Sequence, residues 1–192
     1  DTSVVLLAIE ALERIGVEEF AISLGDMADL NGILEGVPLA GDRLRTLRER
    51  IDARDAHALD ALLDEIDLPD RTRRVLARLP GLTGGEEVLE EARDGVRHAG
   101  ALAALDRLAA VYRAARERFD RARVVLDLGE VKGMAYYDGL VFRVYLPGDG
   151  VAAGGGGRYD HLIGRYGAAR PAVGFSMDVD RLLAAVEGGD DG

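Results

Sequence analysis

The chain reads as an α+β protein: an antiparallel sheet flanked by helices, with an all-helical lobe inserted into it. Three observations give this reading. Strand-like segments cluster in the last third and are joined by turns, not by crossover helices. Helices and strands do not alternate regularly, which argues against a doubly wound sheet. The stretch from Pro38 to about Arg97 carries only helical periodicity, broken by Pro69, Pro80 and Gly84-Gly85. The expected organisation is a core of residues 1–37 and 98–187, a helical insertion of residues 38–97 and a polar tail of residues 188–192.

The elements follow in order. Val4, Val5, Ala8, Leu12 and Ile15 recur on one face of a helix over residues 2–15, with Thr2 or Ser3 as its cap and Gly16 as its end. Phe20 to Leu24 alternates as a short strand, and Asp26 is placed to cap a second helix running to about Glu35. In the insertion, Leu44, Leu47 and Ile51 mark one helix. Leu59, Leu62, Leu63 and Ile66 mark another, and Val75, Leu76 and Leu79 a third. Arg71 to Arg74 reads as a solvated turn of helix. Leu102, Leu105, Leu108, Tyr112, Ala115 and Phe119 then fall at three- and four-residue spacing, a long amphipathic helix. Val124–Leu128 and Leu140–Leu146 read as strands, the second with Leu140, Phe142, Val144 and Leu146 on one face. Asp138-Gly139 is the expected hairpin turn between neighbouring strands. Gly150–Gly157 is expected to lead into a helix near Arg158–Arg165.

Composition narrows the function. With 48% apolar residues the 192-residue chain can bury a core, and no apolar run approaches the ~20 residues of a membrane helix. The absence of cysteine removes disulfides and thiolate metal sites and makes the cytoplasm the default compartment. A net charge of −11 opposes nucleic-acid binding, whose affinity comes largely from phosphate neutralisation by a basic face. Asp1 is not an initiator methionine and the chain opens directly in a helix, so further sequence is expected upstream.

Several catalytic signatures are missing. The glycine run does not match Gly-x-Gly-x-x-Gly, because Tyr159 stands where the last glycine would be, and there is no P-loop. His57, His98 and His161 are scattered, so no metal site is expected. No Gly-x-Ser-x-Gly elbow is present.

What remains is the run Gly154-Gly-Gly-Gly-Arg-Tyr-Asp-His, then Pro171-Ala-Val-Gly-Phe-Ser-Met-Asp-Val-Asp-Arg-Leu182. Consecutive glycines let a bound molecule approach the backbone, and Tyr159 adds a ring with a hydroxyl tip. Together with Leu128-Gly-Glu-Val-Lys-Gly-Met-Ala-Tyr-Tyr-Asp-Gly-Leu-Val-Phe142, these pieces resemble the catalytic domain of the histidyl-tRNA synthetases, a class II synthetase fold. The resemblance covers nearly the whole chain. It implies that the Tyr-Tyr-x-Gly-x-x-Phe and Gly-Gly-Arg-Tyr-Asp pieces form histidine-binding loops. Tyr136, Tyr137 and Tyr159 would then line a histidine-like pocket with Lys132, Glu130 and Arg158 beside it. The final piece looks like the third class II motif, with Asp178 and Arg181 on the nucleotide side.

Departures from that family point further. The residue four before the first tyrosine, an activating arginine in the synthetases, is Lys132, the only lysine beside 23 arginines, and the two are not interchangeable at a bidentate site. The aspartate ahead of the tyrosines is Ala135, and Asp178 replaces a glycine, setting a carboxylate near an anionic nucleotide. With the chain ending soon after the Arg181 helix, no anticodon-binding domain is expected. These features are similar to the regulatory subunits of ATP phosphoribosyltransferase, as is Leu76–Ala92 in the insertion. That resemblance implies no catalytic residues, no cofactor and no aminoacylation. It also implies a self-dimer inside a hetero-oligomer, a hetero-octamer, with the short-form catalytic subunit, and histidine as a feedback ligand. A histidyl-tRNA synthetase fragment, another amino-acid-activating enzyme and a ligand-free interaction module stay open as alternatives.

Overall fold

A computed structural model describes residues 1–34, 39–96, 98–119, 123–130, 136–148 and 150–189. Helix α1 (Thr2–Arg14) buries Val4, Val5, Ala8, Ile9 and Leu12 along one stripe. Its cap is Asp1, whose side chain does not bond the helix end but pairs with Arg158, Nε to Oδ1 2.8 Å. The expected Thr2 or Ser3 cap is not used, because both residues already lie within the helix. Gly16, at φ +88°, turns the chain out of α1 in the left-handed region where a Cβ would be strained.

Strand β1 (Ala21–Asp26) ends on Asp26, whose Oδ1 accepts the Ala28 N–H at 2.8 Å and so caps α2 (Met27–Ile33). Its other oxygen faces Arg107 at 3.4 Å from the long helix α7 (Ala99–Arg118). Between them lie α3 (Gly41–Asp52), α4 (Ala56–Asp64), α5 (Asp70–Arg78), a 3-10 turn at Leu79–Gly81, the two-residue strand β2 (Thr83–Gly84) and α6 (Glu87–Gly95). These helices are not an isolated bundle. Leu47, Ile51, Leu59, Leu63, Leu76 and Leu79 are fully buried and belong to the same apolar cluster as the sheet. The arginines of α5 also make contacts across the neighbouring helices. Arg73 bridges to Asp64 of α4 at 2.6 Å, Arg71 donates to the Asp94 carbonyl and Arg78 pairs with Glu91, so they tie three helices together.

The strands β3 (Arg123–Asp127), β4 (Leu140–Tyr145), β5 (Ala152–Arg158) and β6 (Val173–Met177) complete a six-stranded sheet of order β2-β3-β1-β4-β5-β6. All neighbours are antiparallel except β1 and β3. Because β1 lies between β3 and β4, Asp138-Gly139 cannot be a hairpin turn between them. The Gly139 carbonyl accepts the Met27 N–H at 2.9 Å instead. The glycine run is not a loop either: Gly154–Gly157 is the middle of β5, paired on both sides, and the short α8 (Asp160–Ile163) begins only after it.

Two-residue alternation divides the sheet. Ile22, Leu24, Leu126, Phe142 and Val144 are all at most 1% exposed. They form the face covered by α1 and α7, and α9 (Val179–Gly189) adds Leu182 to that core. Their neighbours Ser23, Asp127, Arg143 and Gly155 fall on the other face, which carries the polar chemistry. Among the described residues no helix is long and apolar enough to cross a membrane.

Candidate ligand site

The polar face holds a cavity of about 260 Å³ over β4, β5 and β6. Its floor is Gly154, Gly155 and Gly156, and its walls include Glu130, Tyr137, Arg143 and Ser176. Glycine is needed here for close approach. A Cβ on Gly157 would lie 3.0 Å from the Tyr137 ring and 2.3 Å from the Leu140 carbonyl oxygen, and one on Gly174 would lie 2.6 Å from the Tyr159 hydroxyl. The rings thus rest directly on strand backbone.

Three of the expected pocket residues meet as a cluster. Tyr136 and Tyr137 have ring centroids 4.6 Å apart, Tyr136 and Tyr159 5.7 Å apart edge-to-face, and Tyr137 and Tyr159 6.2 Å apart. Since the rings fill the space between themselves, only Tyr137 of the three lines the cavity. Burial pushes the Tyr137 phenol well above its ordinary range, and a hydrogen bond with Tyr136 pushes it the same way. It is a neutral hydroxyl for a ligand to meet.

Glu130 is 8% exposed and forms the charged wall. Burial raises its carboxyl, and the Arg143 guanidinium, Nη2 to Oε1 2.9 Å, works against that shift. Arg143 also bonds Tyr145, whose phenol is raised by burial and then by the Glu130 charge. Beside this group Asp127, also buried, is held by Arg54 of the helical lobe and accepts the Gly129 N–H at 3.1 Å. Arg54 sits at φ 53° and also donates to the Pro80 carbonyl and to Thr83 Oγ1 at 3.2 Å. The Ser23 hydroxyl, in register with Arg143, is buried without a hydrogen-bond partner among the described residues.

The other expected residues lie elsewhere. Arg158 ends β5 with its guanidinium on Asp1 and Asp160, Nη1 to Oδ1 2.9 Å, and does not line the cavity. Asp178 follows β6 at the end away from the tyrosines, four residues or about 13 Å of strand beyond Gly174. Its carboxylate accepts the Arg181 N–H at 3.2 Å and lies 3.5 Å from the Arg181 guanidinium, which also donates to the Val151 carbonyl at 3.3 Å. Lys132 and Ala135 lie outside the described residues. Among those residues no group of three or more His, Asp or Glu side chains could hold a metal ion.

Sequence reasoning missed Arg143, Ser176, Asp127 and Ser23. Arg143 had a signal, a charge inside Leu140–Leu146 at an alternate position, which marks the non-core face of a strand. The pairing of Asp127 with Arg54, 73 positions apart in sequence, had none.

The sequence model of the histidyl-tRNA synthetase family matches residues 1–182. The ATP phosphoribosyltransferase regulatory subunit of Geobacter metallireducens is 38% identical over 187 residues, 97% of this chain and 43% of that protein. The crystal structure of an ATP phosphoribosyltransferase regulatory subunit/histidyl-tRNA synthetase from Bacillus halodurans superposes with a TM-score of 0.86 at 29% identity, covering 97% of this chain and 49% of that one. The ATP phosphoribosyl transferase (HisG:HisZ) complex from Thermotoga maritima contributes a chain with a TM-score of 0.69 at 18% identity, a likeness of fold, covering 92% of this chain and 61% of that one. The chain spans about half the length of the curated relatives it matches. Fold, ordered motifs and family match agree: the chain belongs to the histidyl-tRNA synthetase family, and within it is similar to the regulatory subunits of ATP phosphoribosyltransferase.

Proposed function

We propose that the protein is a non-catalytic regulatory subunit of ATP phosphoribosyltransferase, working in the cytoplasm with a short-form catalytic subunit in the first step of histidine biosynthesis. The observation that carries the reading is the name shared by relatives 31–39% identical over at least 95% of this chain. The geometry supports the non-catalytic part. Asp178 places a carboxylate beside Arg181, the arginine that the family resemblance assigns to the nucleotide, so a phosphate there meets a charge already engaged. The helical segment 38–97 is then an insertion into the synthetase-like core, and the working assembly is a self-dimer within a hetero-octamer.

Histidine is the ligand we assign to the cavity. An imidazole packs on the Tyr137 face, and an ammonium is drawn to Glu130, whose burial strengthens the attraction. Feedback follows if histidine prefers one of two states of the complex, since a ligand shifts an equilibrium only through differential affinity. The test is reconstitution: formation of phosphoribosyl-ATP by a short-form catalytic subunit, with and without the full-length protein, at zero and saturating histidine. Stimulation that histidine suppresses is expected.

A second reading, histidyl-tRNA synthetase, is favoured by one observation, the tyrosine cluster resting on its glycine floor. Histidine-dependent pyrophosphate exchange without stimulation of the transferase would select it.

A further inference from the structure

Asp138 takes part in neither the hairpin expected for it nor the cavity wall, yet it bonds every segment that carries a tyrosine of the cluster. It directly follows Tyr136 and Tyr137, and its N–H donates to the Arg158 carbonyl at 3.0 Å. Its Oδ1 accepts the Asp160 N–H at 3.3 Å, and its Oδ2 accepts the His161 N–H at 2.9 Å. The His161 ring closes the contact, Nδ1 to Oδ2 2.6 Å. Burial would raise this carboxyl, but the two hydrogen bonds from His161 and the one from Asp160 hold it below its ordinary range. The far side of the Tyr159 segment is fixed too. Tyr159 N–H donates to the Ala172 carbonyl at 2.9 Å, and Asp160 Oδ1 accepts the Ala172 N–H at 2.9 Å.

We propose that Asp138 and His161 form a clasp that joins the Tyr136-Tyr137 segment to the Tyr159 segment and sets the ring spacing of the ligand site, which makes Asp138 a positioning residue for that site. Neither side chain touches the cavity. The Asp138 side chain acts through the Tyr159 segment, whose Asp160 and His161 N–H groups it accepts, while its backbone N–H holds the Arg158 carbonyl next to Gly157, on which the Tyr137 ring lies. A carboxylate suits the role because it alone can accept two backbone N–H groups and a ring nitrogen at once. The role rests on the reading of the cavity as a histidine site, while the clasp itself is a property of the tyrosine cluster.

The test uses Asp138→Ala, Asp138→Asn and His161→Ala in the full-length protein, with two readouts. The first is histidine affinity by calorimetry. The loss of charge-assisted hydrogen bonds predicts a weakening of roughly tenfold for D138A, and less for D138N and H161A, which each keep part of the contact. The second is the near-ultraviolet circular dichroism of the tyrosine rings at neutral pH, taken as the difference from wild type, which needs no ligand. Loosening the clasp weakens the signal that the close rings share. A general loss of stability, by contrast, lowers the melting temperature without that change in the spectrum of the folded protein. An unchanged spectrum in all three variants overturns the clasp. If the spectrum changes but the wild-type protein binds no histidine, the clasp stands and the histidine reading falls. Should D138A not fold, D138N and H161A decide the same question.

Discussion

The two faces of the sheet share every strand but are stabilised differently. On the helix-covered face Ile22, Leu24, Leu126, Phe142 and Val144 exclude water and contain no polar side chain. On the other face the same strands set Ser23, Asp127, Arg143 and a row of glycines, with Glu130 folded over them. Transfer from water holds the first face, so each residue contributes by size and no single partner matters. The second face is held by particular pairings, Arg54 with Asp127 and Arg143 with Glu130, so each residue matters through its partner. The polar face can therefore change its side-chain chemistry without altering the fold, which the apolar face holds.

The comparison breaks most visibly at Phe142. Truncation to alanine removes a ring that is 1% exposed and packs against Phe175 at 6.3 Å between centroids. A loss of about 3–5 kcal/mol is expected from denaturant unfolding. A loss under about 1 kcal/mol would mean that this face is not the main core.

On the polar face the corresponding experiment removes a partner. Arg54→Ala leaves the Asp127 carboxylate, 5% exposed, with the Gly129 N–H on its Oδ1 but without its arginine. A loss of about 1–3 kcal/mol is expected. Arg54→Gly makes the same deletion but suits φ 53°, so it should be the more stable variant by about 1 kcal/mol. Equal stabilities would show that the backbone at Arg54 carries no strain.

Smaller effects separate shape from stability. Gly157→Ala drives a Cβ to 2.3 Å from a backbone oxygen, so the strand must move, at a cost of about 1–3 kcal/mol and with loss of the ligand site. Gly174→Ala meets the end of the Tyr159 side chain at 2.6 Å, which can swing away. It should cost under about 1 kcal/mol while weakening ligand binding. Wild-type binding in G174A would place Tyr159 outside the working site.

Which parts were legible follows from the same contrast. Apolar alternation in Leu140–Leu146 and helical spacing in Leu102–Phe119 name the core because burial is read residue by residue. Asp26 is legible as a cap because its contact is two residues away. The glycine strand is not, since glycine is a poor strand former and is kept in β5 for what lies on it, Tyr137 on one side and Phe175 on the other. Asp138-Gly139 misleads for a related reason. The strand that separates β3 from β4 comes from residues 21–26, about a hundred positions earlier. The tyrosine triad was visible through its motif, whereas the charged wall depends on pairings between distant segments.

The smallest effect is in acid and alkali, and it divides the polar face itself. Burial raises Glu130 above 4.5, its model-peptide value, so the folded protein binds that proton more readily than the unfolded chain. Its contribution is fully present below the unfolded value and is lost as pH rises through the higher folded one. Asp138 has the opposite sign. Burial opposes its ionisation, but the hydrogen bonds from His161 and Asp160 prevail and hold it below 3.8, so its contribution is present above that value and lost as pH falls through the folded one. Glu130→Gln should therefore flatten the decline of melting temperature on the alkaline side of the carboxylate range. Asp138→Asn should flatten the decline on its acid side. If both substitutions change the same limb, the two carboxylates do not stand in opposite environments, and the separation of cavity wall from clasp is wrong.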